Sequence, residues 1–259
     1  MKRIDATLAP VVGPHVAQPM ATKGCASGGL FTSEARVWHA ALFTPLHYEA
    51  NYAYPLLIWL HGPGENESQL RRLMPLLSLR NYVALGLRGT MRDANAARPD
   101  SYTWSQQPAH VSQAAERLAA GLALAHAKFN IHPQRVYLAG FATGGTMAFR
   151  LALLHPDRFA GVLSLCGEFP RGQGALRQFH AARRLAVFVG CGRYSMAYGD
   201  AMAAEDLRLL FAAGMEVELR QYPCRQELCP AMLSDMDRWI MARVTGEAAA
   251  APAATRRLA

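Results

Sequence analysis

The residues best placed to do chemistry lie in one stretch, Gly140-Phe141-Ala142-Thr143-Gly144-Gly145. It follows an apolar run at 136–139 and leads directly into a helical pattern at 143–154. A strand that turns within a few residues into a helix holds its central residue on a tight, strained corner, and small residues must flank that corner. This is the layout that lifts a nucleophilic hydroxyl above the end of a sheet, and a serine belongs at its centre. Here the centre is Ala142, whose methyl group has no lone pair to offer and no proton to lose. His61 ends another apolar run, 55–60, and is followed by Gly62 and Pro63. Cys166, Cys191 and Cys224 each follow an apolar run, which places three thiols at the end of a sheet where open α/β proteins bind ligands.

The elements that must carry these residues alternate in period. Residues 37–44 alternate apolar and polar, as an edge strand does. Residues 55–60 and 82–87 are short continuous apolar runs, expected of strands buried on both faces. Helical periodicity occupies 69–77, with Asn66 or Ser68 as a cap, and 112–128, with Ala115, Leu118, Leu122 and Ala125 on one face. Further strands are expected at 161–166, 186–190 and 217–221, and further helices at 202–213, ending at Gly214, and at 231–243. Strand and helix in alternation over about 200 residues predict an α/β fold, a mostly parallel sheet with helices on both faces. Residues 1–33 read as an extended or weakly ordered arm, 34–245 as the α/β domain, and 246–259 as a frayed, alanine-rich tail.

In order along the chain, these motifs resemble the phospholipase/carboxylesterase family of α/β-hydrolases, which includes the acyl-protein thioesterases. Tyr54-Pro-Leu-Leu-Ile-Trp-Leu-His61-Gly62 is similar to the family's strand followed by His-Gly. The corner is similar to its Gly-Phe-Ser-Gln-Gly-Gly, with Ala142 for Ser and Thr143 for Gln. His155-Pro156-Asp157-Arg158-Phe159-Ala160-Gly161-Val162 is similar to its helix exit and next strand. The likeness runs from about residue 37 to residue 243. It implies an α/β-hydrolase fold, a carboxylic-ester hydrolase ancestry, no cofactor and, by analogy, a homodimer. It also implies where a catalytic acid and base would stand. The acid falls on Ser195, in Gly190-Cys191-Gly192-Arg193-Tyr194-Ser195, and the base on Gln226, in Tyr222-Pro223-Cys224-Arg225-Gln226. A serine cannot hold an imidazolium by charge, and an amide cannot accept a proton at neutral pH. No histidine follows His180. The oxyanion donors implied by the family are the amide of Thr143 and one from the loop after Gly62, where Pro63 has no N–H.

Two readings of function follow. In the first, the chain is a pseudo-hydrolase that keeps the pocket for a small acyl or acidic ligand, or offers its surface to a protein partner. In the second, it is a carboxylesterase or thioesterase working from a cysteine thiol, that of Cys191 or Cys224, with His61; Cys166 is a further pocket candidate. Trp104, in Tyr102-Thr103-Trp104, is similar to a wall residue of the family's pocket. Arg88, Arg92, Arg98, Arg193 and Arg225 would ring its mouth as solvated surface or as an anion-binding rim.

Composition bounds the rest. Apolar residues make up 51% and charged residues 18%, the balance of a globular chain. The net charge of +8 comes with no long basic run and no basic strip interleaved with aromatics, which argues against nucleic-acid binding. No apolar run is long enough to span a bilayer, and residues 1–19 lack an apolar signal core. With five cysteines, an odd number, the expectation is a reduced, cytoplasmic protein. Cys224-x4-Cys229 is not zinc-knuckle spacing, so no metal is expected.

Overall fold

The computed structural model describes residues 10–12, 39–172 and 179–246. The elements run β1 (Pro10–Val12), β2 (His39–Phe43), β3 (Tyr54–Leu60), α1 (Gln69–Leu77), β4 (Val83–Leu87), β5 (Met91–Arg92), β6 (Tyr102–Thr103), α2 (Pro108–Lys128), β7 (Ile131–Phe141), α3 (Thr143–Leu154), a 3-10 turn (Pro156–Arg158), β8 (Gly161–Leu165), α4 (Phe179–Ala182), β9 (Ala186–Gly192), α5 (Asp200–Ala212), β10 (Val217–Tyr222) and α6 (Pro230–Thr245). Among the described residues, eight strands form one sheet in the order β1-β2-β4-β3-β7-β8-β9-β10. The pairings β1–β2 and β2–β4 are antiparallel, and the pairings from β4 to β10 are parallel. β5 and β6 form a separate small hairpin. This is an α/β-hydrolase fold.

Alternation along the strands builds two cores. Leu56, Ile58 and Leu60 of β3 point to the same side as Val136 and Leu138 of β7 and Val187 and Val189 of β9, under α2, α3 and α5. Leu57, Trp59, Tyr137, Ala139 and Phe188 point to the other side, under α1 and α6. A strand buried on both faces needs apolar residues at every position, which is why these runs show no polar alternation. Among the described residues no helix is long and apolar enough to cross a membrane.

The differences from the sequence expectation have local causes. The strand expected at 37–44 is not at the edge, because Pro10–Val12 pairs with it on its outer side. Three residues of the expected arm therefore belong to the sheet, while the rest of 1–33 and the tail beyond Gly246 lie outside the described residues. The helix expected from Ser112 starts four residues earlier, where Pro108 occupies the first turn, a position that lacks an intrahelical amide partner in any case. The strand expected at 136–139 extends back to Ile131, and the register with β3 slips beside Pro133, between Tyr54 and Leu56. Ser68 stands at the start of α1 without a side-chain cap; Asn66 Oδ1 instead accepts the Ser68 amide at 2.9 Å. Gly214 has φ 70° and ends α5, as expected.

The corner between β7 and α3 is tightly constrained. Ala142 has φ 50° and ψ −120°, a region that side chains other than glycine rarely adopt. Three glycines make the turn fit. A Cβ on Gly140 would collide with the Gly144 carbonyl, one on Gly144 with the carbonyl oxygens of Leu60 and His61, and one on Gly145 with the Ser164 hydroxyl. The Ala142 amide donates to Leu165 O at 2.8 Å, and the Thr146 amide to Ala142 O at 3.1 Å. Surrounding backbone therefore over-determines the strained residue. Ala142→Gly relieves strain of about 1–3 kcal/mol and adds about 1 kcal/mol of unfolded-chain entropy cost. The expected outcome, read by urea denaturation, is a variant as stable as the parent or up to about 2 kcal/mol more stable; a clear loss of stability would show that the turn is not strained.

Candidate functional site

Five strands end around the corner. Ala142 follows β7, His61 follows β3, Cys166 follows β8, and the loops after β9 and β10 carry Ser195 and Gln226. Register places the end of β7 beside the end of β8, with Phe141 opposite Leu165. Ser195 and Gln226, 31 residues apart, meet side chain to side chain: the Ser195 hydroxyl donates to Gln226 Oε1 at 2.5 Å. Gln226 Nε2 donates to Cys166 O at 2.8 Å, which carries the pair to the backbone next to the corner. Ser195 Oγ also accepts the Tyr198 amide at 3.0 Å. The network is internally satisfied, and neither side chain at its centre titrates near neutral pH.

Residues that the sequence reading passed over hold the Ser195 loop. The Tyr198 hydroxyl donates to Asp206 Oδ2 at 2.9 Å, and Asp206 also accepts the Phe169 amide at 2.7 Å and Arg171 Nη2 at 2.6 Å. Asp206 is buried in α5 and ties the loops after β8 and β9 to that helix. A lone aspartate in a helical pattern gives no sign of this; only its partners, far apart in sequence, do.

The loop after β3 has its amides occupied. The Gly62 amide faces Gln69 Oε1 at 3.3 Å, Pro63 has none, the Gly64 amide donates to Tyr102 O at 3.0 Å, and the Glu65 amide to Gly62 O at 3.3 Å. Gln69 Oε1 also accepts the indole N–H of buried Trp59 at 2.8 Å. Thr143 opens α3, so its amide has no carbonyl partner within the helix. Its hydroxyl lies 3.2 Å from that of Thr103, and its carbonyl accepts Gln106 Nε2 at 3.4 Å, so the segment after β6 lies against the corner.

His61 is fully buried and both ring nitrogens are engaged by backbone. Nε2 accepts the Gly89 amide at 2.8 Å, which leaves the proton on Nδ1, donating to Gly62 O at 2.7 Å. The Trp104 indole N–H donates to His61 O at 3.0 Å, and the two rings lie 5.4 Å apart. Trp104 is buried against the histidine and is not an open pocket wall. The thiols do not gather around His61. Cys191 lies in the core beneath α2, α3 and α5, whereas Cys166 and Cys224 lie on the opposite side of the sheet. Burial pushes the Cys166 and Cys191 thiols up to about 11 and the Cys224 thiol to about 12, so little nucleophilic thiolate forms at neutral pH. Among the described residues no group of three or more His, Cys, Asp and Glu side chains is arranged to hold a metal ion.

Of the five arginines expected at a pocket mouth, Arg88 is drawn inward. Its Nε and Nη2 grip Glu67 at 2.7 and 2.6 Å, and its guanidinium lies 4.7 Å from the Tyr102 ring centroid. Arg98 pairs with Glu65 at 3.2 Å. Arg92, Arg193 and Arg225 are exposed.

Residues 93–243 match the family model described as Phospholipase/Carboxylesterase, more than half of the chain. The chain belongs to this family. A stretch of 125 residues is 32% identical to NocK of Nocardia uniformis subsp. tsuyamanensis, whose name proposes an esterase; the match covers 48% of this chain and 36% of that protein, so the chain spans about a third of that relative's length. Among solved structures, Arabidopsis thaliana SOBER1 superposes with a TM-score of 0.62 at 20% identity, covering 74% of this chain and all of SOBER1. A carboxylesterase from Mesorhizobium loti gives a TM-score of 0.63 at 17% identity over 79% of this chain and 94% of its own. The Bacillus cereus carboxylesterase gives 0.60 at 18% identity over 82% and 96%. At these identities the structures speak to fold alone.

Burial holds the His61 imidazole down at about 4, against 6.5 for a free one. Between those values the unfolded chain binds a proton that the folded chain refuses. Stability is therefore full above about pH 6.5 and falls as pH drops towards 4, by about 3 kcal/mol at ~1.4 kcal/mol per unit. Urea midpoints measured across this range should fall more steeply for the parent than for His61→Gln, which has no group to protonate. Parallel slopes would remove His61 as the source.

Proposed function

We propose that this chain is a non-hydrolytic member of the phospholipase/carboxylesterase family that acts by binding in the cytoplasm, with a small acyl or acidic ligand or a protein partner as its target. The observation that carries this reading is Ala142 at the corner: the turn is shaped to present a nucleophile, and it presents a methyl group. The surroundings agree. Ser195 and Gln226 bond to each other where an acid and a base would relay a proton, and neither can. The loop at Pro63 has no amide to spare for a developing oxyanion, and one such donor is worth about 3 kcal/mol. Without nucleophile and base together, a rate factor on the order of 10⁶ is gone. The described cysteines are unbridged, in keeping with a reducing compartment.

A hydrolase working from Cys and His61 would need a thiol in reach of an imidazole nitrogen that is free to take its proton. Both His61 nitrogens are committed to backbone, and its partners include no thiol. No observation favours that second reading.

The test is direct. Purified protein is incubated with a panel of p-nitrophenyl acyl esters and with a fluorophosphonate probe, and the intact mass is followed. The expected result is hydrolysis no faster than the buffer blank and no mass increase. Saturable turnover, or an acyl adduct on any residue, would overturn the proposal.

A further inference from the structure

At the end of the sheet opposite the corner, the start of β7, the residues leading into β9 and β10, and the last turn of α6 border an open recess of about 440 Å³. Arg135, Arg184 and Arg243 line it together with His132 and a single carboxylate, Glu216. Arg243 is held in place: its guanidinium stacks 3.7 Å from the centroid of the Trp239 ring and it pairs with Glu216. Arg135 and Arg184 make no ion pair among the described residues. His132 Nδ1 accepts the Gln134 amide at 3.2 Å, so the neutral ring carries its proton on Nε2, a donor. Glu218, the nearest further carboxylate along β10, is taken by Arg220 at 2.6 Å. Glu216 apart, the charged and imidazole groups lining the recess are donors.

We propose that this recess is a binding site for a phosphate-bearing anion, separate from the corner and independent of whether the corner is catalytic. The charge count favours a dianion. Three guanidiniums and one carboxylate leave a net of +2, which a phosphomonoester neutralises and a monocarboxylate does not. Planar guanidinium forks match phosphate oxygens in pairs, and the one already fixed on Trp239 loses little further freedom on binding. The volume exceeds that of a bare phosphate, so the organic part of the ester has room. The phosphate could belong to a soluble metabolite or to a lipid headgroup, and both present the same group.

The experiment uses the full chain and sn-glycerol 3-phosphate, titrated by calorimetry, with acetate and glycerol as controls. A parallel arm follows sedimentation with phosphatidylcholine vesicles with and without phosphatidic acid. The expected result is saturable binding of glycerol phosphate but not of acetate, weakened at least tenfold in Arg135→Ala/Arg184→Ala and unchanged in Arg208→Ala, a surface arginine on α5. Binding confined to the phosphatidic acid vesicles, and lost in the same double variant, would assign the phosphate to a lipid. If the double variant failed to fold, Arg184→Ala alone, at an exposed position, would be expected to weaken binding severalfold. Absence of binding in both arms, or equal binding by parent and folded variants, would overturn the proposal.

Discussion

The structure depends on a backbone contact that leaves no room for a side chain: Gly144 at the start of α3 lies against the carbonyls of Leu60 and His61 at the end of β3. That contact sets how closely the helix follows the central strand, and with it the turn at Ala142 and the course of the loop through Pro63. Trp59, Gln69 and Gly62 lock the same loop from beneath through one amide oxygen. His61 then fastens it to the end of β4 through Gly89. Geometry that would serve catalysis is thus kept by packing requirements that make no reference to catalysis. This explains how a strained corner can remain when it carries no nucleophile.

Much of the fold was legible because strands buried on both faces must be continuously apolar, and helices between them must be amphipathic. The runs at 55–60, 82–87 and 186–190 and the helices at 69–77 and 143–154 follow from that requirement alone. What sequence could not supply were the elements fixed by pairing. β1 is three residues long and exists because β2 offers it an unpaired edge. The β5–β6 hairpin is two residues a side. For the site, the family likeness brought Ala142, Ser195 and Gln226 forward as equivalent positions, and the latter two meet in space. The alternative of a thiol site built on His61 found no support: Cys166 leaves β8 with φ 55°, so it lies on the side of Leu165 and not on that of Cys191. A turn at the end of a strand can move a side chain off the face that register alone would give it.

Electrostatics divides the molecule. Beneath the corner the inward groups are satisfied: His61 is neutral by burial and by two backbone bonds, Arg88 pairs with Glu67, and Ser195 answers Gln226, while Arg92, Arg193 and Arg225 stay exposed at the rim. At the other end of the strands, the guanidiniums lining the recess outnumber the carboxylates, and Arg135 and Arg184 make no ion pair among the described residues.

The two rims of the sheet are treated differently. β10, half-buried at one end of the described sheet, bears Glu218 and Arg220, a salted edge that another strand would have to desolvate before joining. On the other rim, the outer row of amides and carbonyls of β2 is met, among the described residues, by Pro10–Val12. A proteolytic nick that freed those three residues would leave every catalytic-type position untouched. It would also turn a closed border into an adhesive one, open to a strand from a neighbouring molecule.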